Sequence, residues 1–217
     1  MPSAPWAVFV DFDGTITDLD TFDVLVKHFA GNDAWEASGR GLEDGTVSLR
    51  EVLQRQAAYV RGSFDEVATL LARRVRVDPT FASFVSACRR RGMPVTVVSS
   101  GIEPIIRLRL AEAGLVDLPV VANAIEPDPA GWRIRFRDAA GNGTDKAALI
   151  RAARARGLHT IFIGDGPSDY EAAVTADRRF ARRGLPLERY LRERALPVVA
   201  FSSFDQIEPE LAALPGR

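Results

Sequence analysis

The sequence predicts an α/β fold: a doubly wound, Rossmann-like parallel sheet with a small helical cap inserted after its first strand. Three observations predict it. Short apolar runs that end in polar or acidic residues recur at 6–11, 94–99 and 160–164, and such runs read as buried parallel strands. Segments with apolar residues at helical spacing alternate with them. The stretch between the first two strands is too long for an ordinary crossover.

Taken in order, 6–11 is the first strand. Helical spacing then runs through 23–29, 49–60, 64–75 and 79–90, punctuated by Gly31, Gly39, Gly41, Gly45 and Gly62. The second strand at 94–99 leads into a helix over 103–113, stopped by Gly114. A third strand at 119–123 precedes a turn at 128–131 and an alternating segment at 132–136, together a hairpin candidate. A helix over 144–156, a strand at 160–164 and a helix around 168–176 follow. Short strands near 179–181 and 197–201 complete the pattern. The division expected is a core of residues 1–16 and 80–217 with a helical cap of 17–79. In such sheets ligands bind beyond the carboxyl ends of the strands, so Asp11, Asp13, Ser99, Asp165 and Asp169 are expected to gather there.

Composition narrows the function. A chain of 217 residues, 47% hydrophobic and 26% charged, suits one core with a modest insertion. A net charge of −1 argues against nucleic-acid binding, which needs a basic footprint. The basic residues are nearly all arginine; Lys27 and Lys146 are the only lysines. The single cysteine, Cys88, supports no disulfide framework and reads as a half-buried helix residue. No apolar run reaches membrane-spanning length, and Met1 to Trp6 do not resemble a signal peptide. The expectation is a cytoplasmic protein, monomer or homodimer, with no membrane partner.

Four motifs carry chemistry. In Asp11-Phe12-Asp13-Gly14-Thr15 two carboxylates leave the end of an apolar strand. A hard cation such as Mg²⁺ is their natural partner. One carboxylate can act as nucleophile and the other as general acid and base. Gly14 lets the chain turn where a phosphate would approach. Alone, the motif is also compatible with a helix cap, or with a metal site for a nucleotide sugar. Ser99-Ser100-Gly101 offers a hydroxyl and backbone N–H groups at a helix start, an anion site or a plain cap. Lys146, in Gly143-Thr144-Asp145-Lys146, would neutralise a transferring phosphoryl group if it lay near the nucleophile; otherwise it is a solvated helix lysine. Gly164-Asp165-Gly166-Pro167-Ser168-Asp169 places Asp165 to bind a metal and Asp169 to ligate or to orient a neighbour, unless it is a turn before a capped helix.

Their order and placement are specific where each alone is not. Together, over almost the whole chain, they resemble the haloacid dehalogenase superfamily in its phosphatase branch. That resemblance implies Asp11 as nucleophile and Asp13 as general acid and base. It implies Ser99 and Lys146 on the phosphoryl group, with Gly14, Thr15, Ser100 and Gly101 lining its site. It also implies Mg²⁺ on Asp11, the Asp13 carbonyl and Asp165, with Asp169 in support. The second acid, Asp13, favours hydrolysis of a phosphate ester over dehalogenation.

The small cap is similar to that of phosphoserine phosphatases and of the methionine-salvage enolphosphatases, and favours a small soluble phosphate ester. Asp20 stands where phosphoserine phosphatases read an amine, and Arg55 where they bind a carboxylate; an exposed cap arginine is equally compatible. Ser100 and Ser168 depart from the phosphoserine pattern. The segment Arg178-Arg179-Phe180-Ala181-Arg182 is closer to the salvage branch. The rival readings are a phosphotransferase that passes the phosphoryl group to an alcohol, and a non-catalytic phospho-ligand sensor. A receiver domain fits neither the cap nor Asp13-Gly14-Thr15. His28 and His159 are too far apart in the pattern to make a metal site.

Overall fold

A computed structural model describes residues 5–42, 44–128 and 130–214. Pro129 of the expected turn, and Met1 to Ala4 of the N-terminal segment, lie outside them. The core is a seven-stranded sheet built from β1 (Trp6–Val10), β2 (Val95–Ile102), β3 (Val120–Glu126), β4 (Arg133–Arg135), β5 (His159–Gly164), β6 (Arg178–Arg182) and β7 (Val199–Phe201). Its order is β4-β3-β2-β1-β5-β6-β7, parallel throughout except for the β3–β4 hairpin at one edge. Outward winding from β1 in both directions is the doubly wound arrangement expected.

Alternation along the strands explains the two layers. Val8, Val10, Val97, Ile161 and Ile163 face one side, where they meet α4 (Phe81–Arg90), α5 (Glu103–Glu112) and α9 (Glu208–Ala212). Ala7, Phe9, Val98 and Phe162 face the other, under α6 (Lys146–Ala155), α7 (Tyr170–Thr175) and α8 (Pro186–Glu193). Strands buried on both faces must be apolar throughout, which is why β1 reads as an unbroken hydrophobic run. Helix α8 is not among the elements predicted above. Its cues are a proline in the first turn and two apolar residues one turn apart, Leu187 and Leu191.

Between β1 and α4 the chain forms α1 (Thr21–Gly39), α2 (Leu49–Ala57) and α3 (Phe64–Arg74). Helix α1 runs past its expected end across a kink at Gly31, where φ is +84°. Helices α2 and α3 both start on capping boxes, Ser48 with Glu51 and Ser63 with Glu66. In each, two backbone N–H groups that would lack partners are satisfied. The two chain segments that enter and leave this stretch run side by side through a Thr17–Val77 bridge. The Asp18 N–H donates to the Arg76 carbonyl and the Arg76 N–H to the Asp18 carboxylate.

The helical stretch has its own apolar core, but not from its own residues alone. Phe22, Leu25, Leu53, Val60, Val67 and Leu71 pack with Ile105 of α5, Ile134 of β4 and Trp132. Trp132 is fully buried, donates from Nε1 to the Gly62 carbonyl at 2.7 Å and stacks on Phe64. Trp132→Ala should therefore lower stability by about 3–5 kcal/mol. Denaturant unfolding will test this; a loss within experimental error would show that the hairpin is not a structural part of the helical core.

Candidate active site

The register of three strands assembles the site. Val10 pairs with Val97 on one side and Ile163 on the other. The carboxyl ends of these three strands therefore lie together: Asp11 to Thr15 follow β1, Asp165 to Asp169 follow β5, and Ser99 to Gly101 are among the last residues of β2. The Asp11 N–H still donates to the Ile163 carbonyl at 2.9 Å, so its position is fixed by the sheet. β2 continues through Ser99-Ser100-Gly101 to Ile102, and α5 starts at Glu103. The expected helix start at Ser99 is thus a strand end, with a register irregularity against β3 between Val98 and Ile102.

At the centre is Lys146, the first residue of α6 and almost wholly buried. Its Nζ donates to Asp11 Oδ1 at 2.6 Å, Asp169 Oδ1 at 2.7 Å and Ser168 Oγ at 3.2 Å. The carboxylates of Asp11, Asp165 and Asp169 offer oxygens within 4.8 Å of one another. Asp169 also accepts from the Asp165 and Gly166 N–H groups, which fixes the turn after β5. Two glycines make room for these acids. A Cβ on Gly14 would lie 2.5 Å from Asp165 Oδ2, and one on Gly164 would collide with Asp169 Oδ2.

Burial works against each charge here, and the neighbours decide the outcome. Burial pulls the pKa of Lys146 down, but Asp11 and Asp169 outweigh it and hold the ammonium above the usual lysine range. Asp11 is pushed well up, first by burial and next by Asp169, with Lys146 opposing. Asp165 is raised to about 7, by burial and then by Asp169. One ammonium is thus too little charge for three crowded carboxylates. A hard divalent cation with oxygen ligands fits that deficit and that donor set.

Asp13 turns away from this trio. Its Oδ1 accepts from the Thr21 N–H at 2.9 Å and the Thr21 hydroxyl at 2.6 Å, at the start of α1. Burial raises its pKa, and the Thr21 bonds partly offset the rise. Its other oxygen lies against Gly101, where a Cβ would come within 2.5 Å of Oδ2 and 3.1 Å of Ser99 Oγ. Asp13 Oδ2 and the Ser99 hydroxyl therefore both lie close to Gly101, whose N–H donates to Ser99 Oγ at 2.9 Å. Thr21 is absent from the residues expected, because its contact with Asp13 depends on how α1 departs from the sheet.

The remaining expected residues are placed as follows. The Thr15 hydroxyl donates to Asp165 Oδ1 at 2.8 Å. The Ser100 hydroxyl is committed to the Asn142 carbonyl at 2.5 Å. Asp20 is exposed and caps α1 through the Asp23 N–H. It borders a cleft of about 550 Å³ with Asp23, Lys27, Asn32 and Arg74. Lys27 is paired with Asp23 and lies over the Trp35 ring. Arg55 is exposed in the last turn of α2, whose buried face is made by Val52, Leu53, Gln56 and Ala57. Cys88 is buried, and burial lifts its thiol to about 12, which leaves it unreactive. Among the described residues no helix is long and apolar enough to cross a membrane.

A parallel sheet whose central strands end in two acid motifs, joined by a buried lysine, defines a class of hydrolase. Residues 8–173 match the family model described as haloacid dehalogenase-like hydrolase, and the chain belongs to that family. Within it the chain aligns along nearly its whole length with curated relatives, among them proteins named as phosphatases. It is 30% identical to polyol phosphate phosphatase PYP1 of Saccharomyces cerevisiae, over 92% of this chain and 90% of that one. It is 32% identical to Pdp3-interacting factor 1 of Schizosaccharomyces pombe, over 95% of each. A 2-hydroxy-3-keto-5-methylthiopentenyl-1-phosphate phosphatase of Brevibacillus brevis is 28% identical over 92% of each. The fold also matches a phosphoserine phosphatase solved as a phospho-aspartyl intermediate analogue, with a TM-score of 0.74 at 15% identity, over 97% of this chain and 99% of that one.

The raised pKa of Asp165 predicts a pH dependence. The metal-free native state keeps a proton that the unfolded chain loses near 3.8, so the stability Asp165 contributes is full below that value and lost as pH rises through about 7. A cation held by the carboxylate trio would take over the proton's place. Added Mg²⁺ should therefore raise the melting temperature more at about pH 8 than at about pH 5. Equal shifts at both, in thermal scans with and without chelator, would contradict this.

Proposed function

We propose that the protein is a Mg²⁺-dependent phosphomonoester hydrolase that works through an aspartyl-phosphate on Asp11. The observation that carries this reading is the Asp11 carboxylate held 2.6 Å from a buried Lys146, inside a carboxylate trio and at the carboxyl end of the central strand β1. An Asp11 oxygen attacks phosphorus and the ester P–O bond breaks. The leaving oxygen takes a proton from Asp13, whose raised pKa suits it to hold one. Asp13 then accepts a proton from water as that water attacks the phospho-aspartate, which releases inorganic phosphate and restores Asp11. Lys146 and Ser99 bind the phosphoryl oxygens. The side chains of Asp11, Asp165 and Asp169, with the Asp13 carbonyl, would hold Mg²⁺, which supplies charge neutralisation for the phosphoryl group.

Residues 17–79 act as the cap over this site, and 1–16 with 80–217 as the core. Asp13 bonding to Thr21, the first residue of α1, supports a cap that reaches the reacting centre. The substrate class proposed is a small soluble phosphate ester. The names of the relatives, a polyol phosphate phosphatase and a salvage enolphosphatase, support an uncharged leaving group rich in hydroxyl or carbonyl oxygens. Asp20, exposed as a residue but with its carboxyl pushed up first by burial and next by the neighbouring Asp13, suits hydroxyl recognition, whereas an exposed Arg55 gives a substrate carboxylate little support.

The test is phosphate release from polyol phosphates, sugar phosphates, phosphoserine and an aryl phosphate, with Mg²⁺ and with chelator, and with added acceptor alcohols. Metal-dependent release, greatest for the polyol esters and unchanged by acceptors, is expected. Transfer to an acceptor in place of release would mark a phosphotransferase. Asp11→Asn should abolish turnover and Asp13→Asn should lower kcat by about 10²- to 10⁴-fold. Wild-type turnover by Asp11→Asn, with deamidation excluded by mass spectrometry, would overturn the mechanism.

A further inference from the structure

We propose that Arg182 is a positioning residue for the metal-facing side of the site. By gripping the Thr15 carbonyl it sets the loop that holds Asp165. The inference rests on the reading of the carboxylate trio as a Mg²⁺ site.

Arg182 ends β6, one strand beyond the site. Its Nε and Nη2 donate to the Thr15 carbonyl at 2.8 and 2.6 Å. Nη2 also donates to Asp78 Oδ2 at 2.8 Å, and Nη1 to the Ser202 carbonyl. The guanidinium lies over the rings of Phe201 and Phe204. Its side chain is 14% exposed and that of Asp78 8%. Three segments are thus joined by one planar cation: the loop after β1, the return from the helical stretch, and the turn after β7.

Thr15 transmits that grip. Its carbonyl is held by Arg182 while its hydroxyl donates to Asp165 Oδ1. Gly14 beside it stands so close to Asp165 Oδ2 that a single Cβ would collide. Both Asp165 oxygens therefore lie against residues whose place depends on the Thr15 carbonyl. Asp78 follows Val77, which bridges to Thr17, so the same guanidinium also fixes the far end of that loop. Lysine cannot replace this. Its donors spread from one point, whereas the guanidinium fork reaches two acceptors on one edge and a third on another.

The experiment titrates Mg²⁺ calorimetrically, without substrate, into wild type, Arg182→Lys, Arg182→Gln and Asp78→Asn, alongside kcat and KM. Arg182→Lys should weaken Mg²⁺ binding about 10- to 100-fold, the range seen when partners of metal ligands are changed. Its kcat should recover at high Mg²⁺ and its KM for the ester should hold within about twofold. Asp78→Asn removes the ion pair but leaves the Thr15 bonds, so it should lower the melting temperature and leave Mg²⁺ affinity unchanged. If Arg182→Gln does not fold, Arg182→Lys decides. Arg182→Lys that melts earlier but binds Mg²⁺ as wild type does would overturn the proposal and leave Arg182 a structural tie. A wild type that binds Mg²⁺ yet hydrolyses no ester would sink the phosphatase reading and leave this one standing. A wild type that binds no Mg²⁺ would end both.

Discussion

Everything at the site depends on one buried ion cluster, Lys146 between Asp11 and Asp169. Removing an ammonium and carboxylates from water costs several kcal/mol per ion, and only close, well-aligned partners offset it. Lys146 meets that condition with two contacts below 2.8 Å. The carboxylates do not, since three of them share its charge. That imbalance keeps Asp11 from being an inert salt-bridge partner. It is anchored on one oxygen by Lys146 and crowded by acids that only a further cation or a proton can relieve. The geometry suited to catalysis is the one that a stability optimum would avoid.

The sheet made most of this legible in the sequence. Parallel strands buried on both faces must be apolar, while the residues at their carboxyl ends line the ligand site and turn polar. Asp11 and Asp165 are therefore visible as the first acids after β1 and after Gly164, and the register places them together. Lys146 is visible because the chain is otherwise so poor in lysine. The helices between β1 and α4 are visible through spacing, and α2 and α3 start on Ser-x-x-Glu capping boxes.

What the sequence hides is pairing across distance. Ser100 and Ser99 are adjacent and chemically alike, yet one hydroxyl is tied to Asn142 and the other accepts from the Gly101 N–H. Strand alternation sends them to opposite sides, and nothing local says which side is which. Arg182 stands among many arginines, and its bond to Thr15 spans 167 positions. Thr15 reads as a phosphate contact from its motif, while its hydroxyl faces Asp165. Thr21 reads as an ordinary residue at a helix start, and its bonds to Asp13 depend on the path of the chain between β1 and α1.

The shared core between the helices and the β3–β4 hairpin bears on how such proteins diversify. Trp132 lies in the sheet half of the chain by sequence but fills the interior of the helical half. The inserted helices are therefore not a self-contained cassette. Moved to another scaffold without the hairpin, they would carry a hole the size of an indole ring. Changes in the helical stretch must then arise in place, with the hairpin and the helices altering together, rather than by exchange of whole modules between family members.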